Sequence, residues 1–599
     1  MPRPASAPSS ASPARGPDAA ASLATLLLAA GLLLAVLAAY LPALRGGFIW
    51  NDAEYVTAPH LRGWDGLGAI WTAPGATEQY YPLLHTAFWL EHRLWGDWPA
   101  GYHLTSIVQH ALAALFFALV LRRLAVPGAW LAAFIFALHP VAVESVAWIS
   151  EQKNTLSAAL GLAAAWAYLR FDGGRRGRDY ILASVLFLAA LLSKSTAAVI
   201  PPALLVALWW RRGRLDGRGD VLPLLPWLAA GAGFGLFTAW VERRFIGADG
   251  PEFALDAAQR LLLAGRIPWF YLGKLAWPAD LVFIYPRWTV DAGAAWQWLF
   301  PAATAAVVAA CFRLRDRTRA PLATALLFGG MLFPVLGFLN VYAFIYSFVA
   351  DHWQYLPMLA PIALAAALLS RGLAPLPGAA RGAVILGLLA VLATLSWRQC
   401  GRYRDLETFY RELIAANPAC WMAHHNLATL LRETGRRDEA RTHLEEALAL
   451  RPELPRTLHS LAIIAREDGQ RERALELDRR AVALDPGSAK AHDHLGVILR
   501  ELGRPAEALR HHERALELDP GSADAWNHAG MTLRDLGRDE DALRRFDRAL
   551  ALSPGLVAAR LNLALTLSRI GRGDEAMEHY REARRLDPRL PDPEAAAPR

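Results

Sequence analysis

The chain has 599 residues, of which 54% are hydrophobic and 20% charged, and its formal net charge is +7. Soluble proteins usually carry about 25% charged residues, so this composition excludes an ordinary soluble protein and indicates an integral membrane protein. The positive charge lies mainly in short arginine clusters between apolar runs. Such clusters mark membrane topology and do not indicate a nucleic-acid-binding surface.

The chain begins with a Pro/Ala/Ser-rich segment, residues 1–20, which is predicted to be disordered. The apolar run at 22–43 follows, and it is long enough to cross a bilayer, which takes about 20 residues. A signal peptide would have a shorter apolar core and would not be followed by many further spans. Residues 22–43 are therefore predicted to be the first span.

Ten more apolar runs follow, which predicts an all-α, polytopic helical bundle of about 11 spans. The predicted spans are 22–43, 103–123, 128–140, 154–170, 180–194, 196–210, 221–241, 294–312, 321–339, 354–370 and 381–397. The third is interrupted by the polar stretch HPVAVESVAWIS. Residues 257–277 contain glycine, proline and three basic residues, which favours an interfacial or re-entrant segment.

The arginine clusters orient these spans, because basic loops stay on the cytoplasmic side. They are mutually consistent only if 257–277 does not cross. The N-terminus is then cytoplasmic, loop 44–102 is extracytoplasmic, and the C-terminal half is periplasmic. The prediction is a transmembrane domain over 21–400 in the inner (cytoplasmic) membrane.

The C-terminal part, 401–590, repeats every 34 residues, and a short tail, 591–599, is predicted to be disordered. Prolines mark the period at Pro418, Pro452, Pro486, Pro520, Pro554 and Pro588. Glycines at Gly435, Gly469, Gly503, Gly537 and Gly571 keep it as well. This is the period and pattern of tetratricopeptide (TPR) repeats, two helices joined at the glycine. Five full repeats are predicted over 421–590, preceded at 402–416 by the second helix of a sixth.

A TPR solenoid has a concave groove lined by the first helix of each repeat. The sixth position of each repeat, on the predicted inner face, is occupied by Asn426, Ser460, His494, His528 and Asn562. Amide side chains there can hold an extended peptide backbone, which predicts capture of unfolded or extended protein. His425, His459 and His492 raise the question of a metal, but the interpretation as polar groove or surface residues is favoured, and no metal is predicted.

Acidic and basic side chains gather at the predicted outer ends of the spans. The candidates are Asp52, Glu54, Arg93, His139, Glu144, Glu151, Lys153, Lys194 and Arg244. Ionisable groups at membrane depth are costly and indicate function. Each has a plainer interpretation: Asp52 and Glu54 as interfacial residues, Glu151 and Lys153 as a solvated pair, Lys194 as a snorkelling side chain. Asp351 and His352 could likewise cap the next helix. Convergence on one face favours a site.

The geometry of a helix supports that convergence. Glu144 and Glu151 are seven residues apart, so one helix would place both on one side.

Three stretches carry a family resemblance: FIWNDAEYV at 48–56, QYYPLLHTAFWLEHRLWGDWPAGYHL from residue 79, and ALHPVAVESVAWISEQKNTLS from residue 137. With the WRQ…YRD junction at 397–405, they resemble the transmembrane-and-tetratricopeptide family of O-mannosyltransferases and its bacterial relatives. The resemblance covers nearly all of the chain after residue 20. It implies a GT-C glycosyltransferase fold, a polyprenyl-phosphate sugar donor and an acid in the first outer loop. The acidic pair of the family aligns with Asn51–Asp52, so only its second acid is kept.

The resulting hypothesis is a membrane glycosyltransferase that moves a hexose, with mannose as the expected sugar, from polyprenyl phosphate to Ser/Thr of exported proteins. Asp52 would be the general base, with Glu54 secondary, and Glu144 or Glu151 would orient the acceptor or sugar. The cations would bind the phosphate; a divalent metal is possible but not predicted. The alternatives are a non-enzymatic membrane-anchored TPR scaffold for envelope or secretion assemblies, or an enzyme with a lipid or polysaccharide acceptor.

Overall fold

The computed structural model describes residues 19–246, 250 and 253–591, in two compact units divided between Pro418 and Ala419. The tails predicted to be disordered lie outside the described residues except for residues 19, 20 and 591. The described residues form helices and no β-strands, which agrees with the all-α prediction.

The first unit, here the membrane unit, contains seventeen α-helices among its described residues. They are α1 (Ala19–Ala39), α2 (Asp52–Thr57), α3 (Trp64–Thr72), α4 (Pro82–Trp95), α5 (Pro99–Arg123), α6 (Ala129–Leu138), α7 (Val143–Ala147), α8 (Gln152–Gly174), α9 (Gly177–Ser193), α10 (Ile200–Arg212), α11 (Leu225–Val241), α12 (Ala257–Ala276), α13 (Leu299–Leu314), α14 (Ala320–Leu332), α15 (Leu359–Gly372), α16 (Gly378–Cys400) and α17 (Leu406–Ala416).

Within the described residues, four helical stretches are long and apolar enough to cross a membrane: Pro99–Arg123, Gly217–Phe245, Ala295–Leu314 and Gly378–Tyr403. A fifth is the pair Ala129–Leu138 and Pro140–Ala147, which is bent by 54° where the sequence carries its polar interruption. Leu23–Ala39, Ala320–Val335 and Leu359–Gly372 are shorter apolar helices. By length and composition, four or five of the eleven predicted spans are thus candidate spans among the described helices.

The segment from His139 to Thr155 is buried without interruption, although it contains two glutamates, a lysine and several amides and hydroxyls. Its backbone forms three short helical turns, Pro140–Ala142, α7 and Ile149–Glu151, and then enters the long helix α8. Trp148 has an extended backbone between the second and third turns. These breaks direct polar side chains inward, where one straight helix would point about half of them at lipid.

The predicted half repeat, α17, belongs to the membrane unit and not to the repeats. Phe409 on α17 packs edge-on against Phe283, with ring centroids 4.7 Å apart, and also contacts Trp50. The Asn417 amide donates to the carbonyl of Ile284 at 3.0 Å. The boundary predicted at 401 therefore moves to 419.

The second unit, here the repeat unit, forms five helix pairs within its described residues, 419–591. They are α18 (Trp421–Glu433) with α19 (Arg437–Leu450), α20 (Pro455–Glu467) with α21 (Arg471–Leu484), α22 (Ala489–Glu501) with α23 (Pro505–Leu518), α24 (Ala523–Asp535) with α25 (Asp539–Leu552), and α26 (Val557–Arg569) with α27 (Gly573–Leu586). The glycine that joins each pair has φ between 72° and 83°. Glycine adopts this left-handed conformation without steric cost, so the predicted role of these glycines is confirmed.

Candidate functional site

Glu151 is the centre of a buried polar cluster in the membrane unit, and its carboxylate lies between two lysines. Lys153 Nζ is 2.8 Å from one carboxylate oxygen, and Lys194 Nζ is 3.5 Å from the other. Burial raises the pKa of Glu151, but Lys153, Lys194 and His352 outweigh burial and lower this pKa to about 2. Glu151 is therefore ionised at neutral pH and holds both lysines in place.

Asn154 ties the same carboxylate to the surrounding chain. Its side-chain nitrogen donates to Glu151 at 2.6 Å, while its oxygen accepts from Lys194 Nζ at 2.7 Å. One amide thus fixes an acid and a base at once. A buried ion pair is stabilising only when such hydrogen bonds complete it.

Glu144 reaches the cluster through His352. The Nδ1 of His352 lies 2.8 Å from Glu144, and its Nε2 lies 3.9 Å from Glu151. The prediction that Glu144 and Glu151 lie on one side is confirmed, but its reason was wrong, because the chain breaks at Trp148. The turn at Asp351–Gln354, from a distant part of the sequence, brings the two acids together.

Asp52 is wholly buried beside this cluster and is anchored to the turn that carries Glu151. It accepts hydrogen bonds from the Ser150 amide at 2.8 Å and the Ser150 hydroxyl at 2.6 Å, and from the Ile49 amide at 3.0 Å. Burial raises the pKa of Asp52 to about 6, and these hydrogen bonds oppose the rise. A carboxyl whose pKa is near neutrality is suited to proton transfer.

The basic groups are the most accessible members of the cluster. The side chains of His352, Lys194 and Lys153 are 14%, 12% and 10% exposed, whereas those of Glu144 and Glu151 are 2% and 1% exposed. The carboxylates thus lie behind a layer of basic groups. An anion that approaches this surface meets positive charge first.

Four predicted site residues lie apart from this cluster. Glu54 is exposed on α2, and Arg244 is exposed in the turn at Glu242–Ile246. The Arg93 guanidinium stacks on the rings of Trp89 and Trp64, at 4.0 and 4.8 Å from their centroids. The buried His139 ring is bonded to the backbone at Val141 and Leu275. These positions give none of the four a contact with Glu151.

Sequence reasoning missed Ser150 and Asn154, and it noted His352 among the outer groups, with helix capping as the plainer interpretation, without including it in the predicted site. The first two are uncharged and gave no charge signal; only their place in the polar stretch 150–155 could have drawn attention. Asp351 was treated in the same way as His352. It is buried and accepts hydrogen bonds from the Tyr285 hydroxyl at 2.9 and 3.1 Å.

The predicted groove residues of the repeat unit are half-buried, and three of them bond to the preceding repeat. His494 binds Asp478, His528 binds Asp493 at 2.9 Å, and the Asn562 amide donates to Asn527 at 2.9 Å. Asn426 contacts Met422 within its own helix. In this conformation, the residue at the sixth position of the last three repeats therefore links its repeat to the preceding one.

Two family models match the chain. Residues 82–240 match the family described as dolichyl-phosphate-mannose-protein mannosyltransferase, and residues 419–589 match the tetratricopeptide repeat family in overlapping segments. The first match includes Glu144, Glu151, Lys153 and Lys194. The buried cluster therefore lies largely inside the mannosyltransferase match.

The chain is also similar to curated proteins of animals. It is 31% identical over 201 residues to the Protein O-mannosyl-transferase Tmtc1 of Drosophila melanogaster, which is 31% of this chain and 23% of that protein. It is 23% identical over 416 residues to the Protein O-mannosyl-transferase F38B6.6 of Caenorhabditis elegans, 65% of this chain and 58% of that protein. The chain thus matches less than two thirds of the length of either relative.

Among solved structures, the chain is similar to TTC0263, a TPR protein of Thermus thermophilus. The identity is 28%, the match covers 28% of this chain and 92% of that one, and the TM-score is 0.26.

Proposed function

We propose that the chain is a member of the O-mannosyltransferase-like family that joins a protein mannosyltransferase domain to TPR repeats. It would transfer a hexose, in particular mannose, from a polyprenyl-phosphate carrier to Ser or Thr of exported proteins. The buried cluster around Glu151 would be the catalytic centre. The observation that carries this proposal is the layer of basic groups over buried carboxylates, inside the matched domain.

Lys153 and Lys194 would bind the phosphate of the donor, together with His352. Glu151 would keep the two ammonium groups fixed, so that little reorganisation is needed as negative charge develops on the leaving phosphate. The breaking bond joins the anomeric carbon to the phosphate oxygen, and the leaving group is polyprenyl phosphate. Of the predicted phosphate ligands, Arg93, Arg244 and His139 have no part in this scheme.

Asp52 would be the general base. It would take the proton of the acceptor hydroxyl while that oxygen attacks the anomeric carbon, and a single displacement inverts the configuration there. The Ser150 hydroxyl now occupies one oxygen of Asp52, so the acceptor hydroxyl would have to replace it. General-base catalysis contributes about 10²–10⁴-fold.

A second candidate for the base is His352, because its Nδ1 faces the buried carboxylate of Glu144. A carboxylate in this position orients an imidazole and stabilises its protonated form. In this alternative Glu144 is a positioning residue, and Nε2 of His352 takes the proton.

The remaining parts of the proposal concern topology and partners. The apolar helices would form about eleven spans in the inner membrane, with a cytoplasmic N-terminus and periplasmic repeats. The repeat unit would hold extended substrate chains, which requires position six to exchange its contacts with the preceding repeat. The family relationship also suits a lipid or polysaccharide acceptor, which the mass analysis below distinguishes.

The test is the variant Asp52→Asn in cells that lack the wild-type gene, with Asp65→Asn, an exposed acid on α3, as the matched control. We expect intact-mass analysis to show that exported proteins lose hexose additions in Asp52→Asn and keep them in Asp65→Asn. With purified protein and a polyprenyl-phosphate sugar, kcat should fall about 10²–10⁴-fold. Retained additions in Asp52→Asn would refute the base assignment.

The pH profile distinguishes the two candidate bases. The pKa of Asp52 is raised to about 6, so Asp52 is protonated below that pH, and kcat/KM should rise as pH increases through about 6. If Asp52 is the base, His352→Gln keeps this rise while Asp52→Asn removes it. If neither Asp52→Asn nor His352→Gln affects glycosylation, but deletion of the repeats abolishes the function of the protein in cells, the chain is a scaffold.

A further inference from the structure

The repeat unit contains a second polar cluster, formed by His459 on α20, Asp478 on α21 and His494 on α22. Asp478 is wholly buried, and its carboxylate lies between the two imidazoles. One oxygen is 2.9 Å from Nδ1 of His459, and the other is bonded to Nδ1 of His494. One ligand atom from each residue lies within 4.8 Å of the other two.

The fold does not require polar residues at these positions. They are the fifth and twenty-fourth positions of one repeat and the sixth of the next. One repeat earlier, the twenty-fourth position is the apolar Leu444, and two repeats later it is Phe546, both buried. Other repeats therefore bury an apolar side chain at this position, and the repeat fold alone does not account for a carboxylate between two imidazoles.

The same combination occurs once more, in the next repeat, with the acid in a different place. Asp493 takes the fifth position, and its oxygens lie 2.8 and 2.9 Å from the Nδ1 atoms of His512 and His528. Two histidines and one aspartate thus meet at two consecutive repeat junctions. In the second set the buried His512 ring lies against Gly496, as Phe546 lies against Gly530, so packing accounts for it.

We propose that His459, Asp478 and His494 bind a divalent transition-metal ion of the zinc class. Imidazole and carboxylate are ligands that zinc accepts at about 2.0–2.2 Å, whereas Mg²⁺ and Ca²⁺ require oxygen ligands throughout. Ligands at that distance around a tetrahedral ion are about 3.3 Å apart. The spacing of 2.9 Å between Nδ1 of His459 and Asp478 would therefore expand by a few tenths of an ångström, while His494 would have to move further from the carboxylate. All three ligand atoms already lie within 4.8 Å of one another. Three protein ligands leave a fourth position for water or for a side chain of a bound protein.

Metal binding requires a change of tautomer at both rings. Without metal, Nδ1 of each imidazole donates a hydrogen bond to Asp478. With metal, Nδ1 coordinates the ion, and the single ring proton moves to Nε2. At His494 the Nε2 atom now accepts a hydrogen bond from Arg466 Nε at 3.1 Å, while Arg466 also contacts Glu501. The Arg466 guanidinium must therefore move away, and it opposes binding both by its hydrogen bond and by its charge.

The test is a Zn²⁺ titration of the full-length protein in detergent, in competition with a chromophoric chelator. We expect His459→Gln and His494→Gln to weaken Zn²⁺ binding by at least the 10- to 100-fold that loss of an outer-shell partner costs. Arg466→Gln should strengthen it. His579→Gln, which removes a histidine of α27 outside both clusters, is the matched control and should match the wild type.

Co²⁺ provides an independent readout, because its visible absorption reports ligand number and geometry. The wild type should give a tetrahedral spectrum that His459→Gln lacks, while circular dichroism shows unchanged helix content. If Asp478 only joins the repeats, Zn²⁺ titrations of both histidine variants will coincide with the wild type, which overturns the proposal. If only His528→Gln loses high-affinity Zn²⁺ binding, the proposal is also overturned, because the ion would then belong to the set formed by Asp493, His512 and His528. Because two histidine variants are compared, failure of one to fold leaves the other to decide.

Discussion

The membrane unit and the repeat unit both bury carboxylates beside basic side chains, but the sequence brings the partners together differently. In the membrane unit, Glu151 meets Lys194 and His352, which come from separate and distant segments. In the repeat unit, Asp478 and Asp493 meet histidines at positions fixed by the 34-residue period. The cluster around Glu151 depends on irregular turns that occur at one place in the chain. The clusters around Asp478 and Asp493 are substitutions within a repeat fold that also forms in repeats without them.

This difference has consequences for stability. The framework of the repeat unit also accepts Leu444 or Phe546 at the position of Asp478, so its polar cluster can be changed locally. The irregular turns around Glu151 hold buried groups of opposite charge in direct contact. Removing one member of a buried ion pair leaves the charge of its partner uncompensated, which is strongly destabilising.

The largest expected effect is that of Glu151→Gln. It leaves the ammonium groups of Lys153 and Lys194 buried with less negative charge, and we expect a loss of about 3–5 kcal/mol in the free energy of unfolding. The control is Asp97→Asn, which removes the exposed partner of Arg62 and should cost less than about 1 kcal/mol. Differential scanning calorimetry in detergent measures both.

The pH dependence of the same variant adds a second measurement. The pKa of Glu151 is lowered from 4.5 to about 2, so its stabilisation is complete above pH 4.5 and is lost as pH falls toward 2. Glu151→Gln should lack this acid-dependent loss. If Glu151→Gln and Asp97→Asn lower the free energy of unfolding equally, burial does not strengthen the ion pairs of Glu151, and the contrast between the two units is wrong.

The same contrast explains how much could be read from the sequence. The repeats were predicted almost to the residue, because a left-handed glycine such as Gly435 and a buried alanine such as Ala440 have the same physical cause in every repeat. The exception is α17. Its sequence resembles a second TPR helix, but Phe409 and Asn417 contact Phe283 and Ile284 in the membrane unit. The local sequence pattern of α17 does not show which distant residues it will contact.

The cluster around Glu151 was predicted in part. Convergence of charges drew attention to Glu144, Glu151, Lys153 and Lys194, because ionisable groups are rare in such apolar sequence, and these four side chains lie in one cluster. Contacts made by uncharged residues, such as Ser150 and Asn154, left no comparable signal. Mean apolarity of a run does not show where a helix bends, so the bend at His139 was not predictable from the apolar pattern.

A smaller effect is expected within the framework of the repeat unit, from Gly496→Ala. A Cβ at Gly496 would lie 2.6 Å from the His512 ring, so the ring must shift. Such overpacking costs about 1–3 kcal/mol, and the better helix propensity of alanine offsets about 0.5–1 kcal/mol of it. Thermal unfolding of the repeat unit should show the net loss.

Two controls accompany this variant. At Gly487 a Cβ would come no closer than 3.4 Å to Asp485, so Gly487→Ala should leave stability nearly unchanged. The double variant Gly496→Ala/His512→Ala should lose less than the sum of its two single changes, because the clash is then absent. Additive losses would show that the ring is not the obstacle.

The smallest effect is expected at the ladder of ion pairs that links successive repeats. Arg432 and Glu467, Arg466 and Glu501, and Arg500 and Asp535 pair at equivalent positions, with distances of 3.6, 2.8 and 3.2 Å. Asp535 is 38% exposed, so solvent and salt screen its attraction to Arg500. Arg500→Gln should therefore cost less than about 1 kcal/mol, and the cost should shrink as salt is added. A loss as large as that of Glu151→Gln, unaffected by salt, would mean that the periodic framework also depends on buried charge, and the distinction between the two units would fail.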